Sequence, residues 1–111
     1  MIRVYIASPY TLGDRLENVN KSFDVAGQLI DLGFAPFPPL FSHYIHEKKA
    51  RTYETWMALD FEWLNLCHCV LRLPGTSVGA DMEEAFARRQ GKPVFYSIEA
   101  LQKYIEEDHT W

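Results

Sequence analysis

Three observations predict a doubly wound α/β domain, a parallel sheet of four to five strands with helices on both faces. Short apolar runs alternate with stretches whose apolar residues recur at helical spacing, and proline or glycine closes nearly every segment. The 111 residues, 48% of them apolar, suffice for one core and for one domain spanning 1–111. Such alternation implies right-handed crossovers, and hence parallel strands covered on both sides in the Rossmann-like manner.

The elements follow in order. "IRVYIA" (2–7) is a buried first strand ending at Ser8-Pro9. Val19, Phe23, Ala26 and Ile30 recur at helical spacing and predict a helix from about Leu12 to Leu32, stopped by Gly33. "FAPFP" (34–38) is a second strand ended by Pro38-Pro39. From Leu40 to Arg51 the pattern is lost, and an aromatic, histidine-bearing loop is expected at a ligand site. A helix spans roughly Thr52 to Leu66, "CVLRL" (69–73) is a third strand, and a helix from about Gly79 to Gln90 follows the Pro74-Gly75 turn. The strand "VFYS" and a helix near Ile98 to Glu107 close the chain.

Composition narrows the function classes. Eleven basic against fifteen acidic side chains give a net charge of −4, with no Lys/Arg cluster. Nucleic-acid polymers and anionic membranes are therefore poor partners, because affinity for both comes from neutralised phosphates. A small anion stays possible at a helix N-terminus. No apolar stretch is long enough to span a bilayer. Met1 leads directly into the first strand, so no signal peptide is expected and the reading is cytoplasmic. Cys67 and Cys69, placed in a strand, would face the same way as buried free thiols. With His43 and His46 they make no convincing zinc set, because a C-x-x-C pair is lacking.

In sheets of this kind ligands bind beyond the carboxyl ends of the strands. Near those ends Asp81, Glu83 and Glu84 crowd into four positions of "GADMEEAFARRQ". If Met82, Ala85, Phe86 and Arg89 form the stripe facing the sheet, Glu84 points away and is solvated. Asp81 then complements the helix dipole. Glu83 is left as the acid able to lean over the strand ends. On the preceding helix Trp56, Leu59, Trp63 and Cys67 mark an apolar stripe with Asp60 in its middle. A carboxyl there is costly unless it is bonded or meets a pocket.

"VYIASPY", "DFEWLNLCHCVLRL" and "GTSVGADMEEAFARRQGKPVF", in this order, resemble the nucleoside 2-deoxyribosyltransferase superfamily over about Arg3 to Phe95. The likeness is greatest to the branch of 2′-deoxynucleoside 5′-phosphate N-hydrolases and related small domains. The resemblance implies cleavage of the bond between base and deoxyribose, with the sugar passed to water or to another base. It implies Glu83 as the catalytic carboxylate at the anomeric carbon and Asp60 as an aid to protonation of the leaving base. Tyr5 and Ser8 match the end of the first strand, Gly79 the turn that admits the sugar phosphate, and Ser77 starts the S-x-G-x-x-x-E pattern. Ser8 and Ser77 are candidate phosphate contacts, although Ser77 serves equally as a helix cap. His43 and Tyr44 are expected to cover the base.

The resemblance implies no cofactor and no metal, a nucleoside or nucleotide as partner, and a homodimer or larger homo-oligomer with shared active sites. His109 is a weak candidate for the neighbour's contribution, and Trp111 with the Tyr104 helix for the contact surface. His68 stands where relatives often carry an aspartate. Other readings are a non-catalytic nucleotide-binding or interaction domain, or a dinucleotide-binding or response-regulator-like domain. The last two are disfavoured because neither G-x-G-x-x-G nor paired acids follow the first strand.

Overall fold

The computed structural model describes residues 1–107, in which β1 (Arg3–Ala7), β2 (Ala35–Phe37), β3 (Cys69–Arg72) and β4 (Val94–Phe95) form one sheet. Its order is β2-β1-β3-β4 and every pairing is parallel, with Val4 opposite Cys69, Tyr5 opposite Phe37 and Val70 opposite Val94. The predicted architecture is the observed one, at the lower end of the expected strand number.

Alternation along the strands feeds two cores. Val4, Ile6, Cys69, Leu71 and Phe95 face α1 (Arg15–Asp31) and α5 (Ile98–Glu106), meeting Ala26, Leu29 and Leu101. Tyr5, Ala7 and Val70 face α3 (Tyr53–Leu66) and α4 (Val78–Arg89), meeting Leu64, Ala80 and Ala87. Cys67 caps α3 instead of entering the strand, so it joins the second core while Cys69 joins the first. The expectation that they face one way fails for that reason. Both thiols are buried and free.

Four helices begin on capping side chains. Asp14, Thr52, Ser77 and Ser97 accept the amides of Glu17, Thr55, Ala80 and Ala100, each contributing about 1 kcal/mol. Gly13, at φ +82, and the Asp14 cap start α1 three residues later than expected. The segment expected as a loop is instead a 3-10 turn (Pro39–Phe41) followed by α2 (Ser42–Lys48). No residue of α2 is buried, so it carries no amphipathic pattern to read.

The stripes also differ from expectation. On α4 the sheet side is Ala80, Glu83 and Ala87, whereas Met82 is 43% exposed and Ala85 and Arg89 are open to solvent. Small residues let the helix approach the sheet, and Phe86 turns sideways to stack on Phe61 of α3 at 4.7 Å. On α3 the inward side carries Met57 and Leu64, while Leu59 and Trp63 are about half exposed. Asp60 lies between Met57 and Leu64 and is half-buried, so its inward placement stands although its neighbours change.

Candidate functional site

Three of the predicted side chains converge on the α3/α4 side of the sheet. Tyr5 is fully buried in mid-β1, and its hydroxyl donates to Oε2 of Glu83, itself 5% exposed. Glu83 reaches this position because α4 turns it toward the sheet between Ala80 and Ala87. Asp60 approaches from α3, and its charge acts on both Glu83 and Tyr5.

The electrostatics follow from burial. Desolvation raises the Glu83 pKa to about 8, with the Asp60 charge adding to it and the Tyr5 hydrogen bond and Arg72 charge opposing it. Asp60 is raised to about 7, also by desolvation. The Tyr5 phenol is pushed well above its ordinary range by burial, then by the Glu83 and Asp60 charges. These values leave the pair holding about one proton between about pH 7 and about pH 8, chiefly on Glu83, as in a coupled acid pair. Two such groups, one held rigidly by a phenol, can supply a carboxylate and an acid to the same ligand.

The other predicted residues lie elsewhere. Ser77 is spent as the cap of α4, its Oγ accepting the Ala80 amide at 3.1 Å. Gly79 sits in the first turn of α4, where an added Cβ would touch Tyr53 Oη at 3.6 Å and Met57 Sδ at 3.7 Å. Ser8 is buried and lines a cavity of about 280 Å³ with Pro9, Asn18 and Pro74, on the α1 side of the sheet. A second cavity, of about 410 Å³, is lined by Arg3, Pro36, Leu66 and the stacked rings of Phe37 and Trp63. Neither cavity is lined by Glu83 or Asp60; Glu83 is buried, whereas Asp60 is half-buried.

His43 belongs to α2 and accepts or donates at Nδ1 with the Tyr10 hydroxyl, 2.6 Å away, while its Nε2 lies 3.6 Å from Glu47. Tyr44 stacks on Phe23, with ring centroids 6.3 Å apart. His68 takes the Arg3 amide on its Nδ1 at 2.8 Å, at the amino end of the strands and away from the carboxyls. Tyr104 packs edge-on against Phe95, and His109 and Trp111 lie outside the described residues.

Sequence reasoning missed Arg72. At the end of β3 this guanidinium is 8% exposed, pairs with Asp81 at 2.7 Å and lies 3.6 Å from Glu84. Glu84 is therefore not the solvated acid expected: its side chain is 18% exposed and also meets Arg88 and Tyr96. The clue was present, because an arginine in an apolar strand facing a run of acids calls for partners among them.

A family model described as "Domain of unknown function (DUF7768)" matches residues 2–97. No curated protein matches the chain. Among solved structures it is similar to a 2-deoxyribosyltransferase from Bacillus psychrosaccharolyticus, with TM-score 0.62 and 24% identity over 86% of this chain and 75% of that one. A likeness at this level establishes a shared fold.

Proposed function

For a chain that belongs to the DUF7768 family, we propose cleavage of the N-glycosidic bond of a nucleoside or nucleoside 5′-monophosphate, with the sugar passed to water or to another base. The observation that carries this reading is the buried Glu83 carboxyl, held by the Tyr5 phenol within the field of a second acid, Asp60. Support also comes from the fold shared with the deoxyribosyltransferase and from the ordered sequence motifs.

In the proposed reaction a Glu83 oxygen bonds to C1′ as the bond from C1′ to the base nitrogen breaks. Asp60 gives its proton to the departing base. Water, or an acceptor base, then bonds to C1′, the glycosyl ester breaks, and Asp60 regains a proton from the attacking group. Tyr5 orients Glu83 and stabilises its anion. Substrate reaches the pair after the α3 and α4 side chains around it part, since Glu83 is closed from solvent at rest. The reaction needs Glu83 ionised and Asp60 protonated, the reverse of the resting order of about 8 for Glu83 and about 7 for Asp60. The minor one-proton form therefore reacts, and base release is expected to be bell-shaped with pH, greatest between about 7 and about 8.

The test is incubation with a panel of nucleosides and 5′-monophosphates, with and without a free acceptor base, while base release is followed. Release without acceptor identifies a hydrolase, and exchange only with acceptor a transferase. Silence from the whole panel sinks the enzymatic reading and leaves a binding module.

A further inference from the structure

Asp81, Glu83 and Glu84 have different fates although they share the first turns of one helix. Glu83 goes to Tyr5, whereas Asp81 and Glu84 both turn to Arg72. The guanidinium does more than pair with them. Its Nη2 donates to the Gly75 carbonyl at 2.7 Å and its Nε to the Leu73 carbonyl at 3.0 Å. It thus ties the turn leaving β3 to the helix that follows. That turn is tightly built: Gly75 has φ +121, and a Cβ there would lie 2.8 Å from Pro9.

We propose that Arg72 is a positioning residue for Glu83. It fixes the β3–α4 turn and offsets the charges of Asp81 and Glu84, so that Glu83 is the one acid of the trio directed to Tyr5. Each nitrogen of the guanidinium has an acceptor within the protein, and Arg72 acts through these groups. Its charge also favours the ionised form of Glu83 against burial and Asp60. Without it, like charges would crowd the start of α4 and raise Glu83 further. This inference gives meaning to catalysis only through the reading of Glu83 as the reacting carboxyl, but its physical content can be tested apart from turnover.

The experiment is a carboxyl ¹³C NMR titration of Glu83 in the whole chain, the signal being identified by its loss in Glu83→Gln. Arg72→Met is expected to move the Glu83 midpoint above the wild-type value. Arg72→Lys restores the charge without the fork of bonds, so the midpoint returns toward wild type while base release recovers only in part. Asp81→Asn/Glu84→Gln leaves the cation with fewer counter-charges and moves the midpoint down. The upper limb of the base-release profile should follow the midpoint in each case. Unchanged midpoints in Arg72→Met and in the double variant overturn the proposal. Should Arg72→Met fail to fold, the downward shift in the double variant decides alone. If the wild type releases no base, a shifting midpoint still supports the coupling, and only the catalytic role of Glu83 is lost.

Discussion

Two helices border the strand ends, and they are held by different physics. α4 buries Ala80, Glu83 and Ala87 against the sheet, is capped by Ser77 and is tied to its turn by Arg72. α2 buries nothing. It is fastened by side-chain bonds from two histidines: His43 to Tyr10, and His46, whose Nδ1 accepts the Trp56 indole N–H at 2.9 Å and the Arg51 amide at 3.2 Å. An indole can only donate, so the second fastening requires an unprotonated Nδ1. The helix that carries the candidate nucleophile is thus anchored by packing, and the helix beside it by side-chain hydrogen bonds.

The comparison is tested most severely at Glu83. Glu83→Gln should lower base release by about 10³-fold or more, and Tyr5→Phe by roughly tenfold. Glu84→Gln, which leaves the Tyr5 bond in place, should cost far less. Equal losses at 83 and 84 would show that α4 is not held in the described register. Asp60→Asn is expected to lose about 10²-fold, and the loss should shrink for bases that depart readily without a proton. A loss independent of the leaving base would remove Asp60 from proton transfer.

A smaller effect concerns stability. Glu83 titrates near 8 when folded, above an ordinary carboxyl, so the folded chain holds a proton that the unfolded chain has released. Its contribution to stability is complete below the usual carboxyl range and declines as pH rises toward about 8. Asp60 acts in the same sense up to about 7. Glu83→Gln should therefore raise Tm by roughly 5 °C at about pH 9 and change it little near pH 4. A gain of the same size at both pH values would contradict the burial argument. The smallest expected effect is local. His46→Leu, which removes the acceptor, should speed amide exchange in α2 while α4 is unaffected, and His46→Asn, which keeps an acceptor, should have a smaller effect. Exchange that rises equally in both helices would erase the distinction.

The same contrast explains what the sequence made legible. Every strand and the four longer helices were readable, because burial imposes a period and proline or glycine closes the segments, although the Asp14 cap of α1 went unread and its start was set three residues early. α2 was not, since its hold is tertiary: Tyr10 is 33 positions from His43, and Trp56 is 10 from His46. The stripe on α4 was misjudged because two registers satisfy helical spacing, and alanine, not methionine, allows close approach to the sheet. Asp60 and Glu83 were legible as carboxyls near core-facing stripes. Arg72 was hidden in an apolar strand, where its partners become visible only once the turn after β3 brings α4 back beside it.

Pro36 has a consequence at the margin of the sheet. In β2 the Ala35 amide points inward, donating to the Ile2 carbonyl at 2.9 Å, so the next position directs its nitrogen outward. That position is proline, which has no hydrogen to offer. The opposite margin, β4, is only two residues long. Neither border gives an incoming chain a useful template, so the protein should tolerate high concentration without growing into fibrils by strand addition.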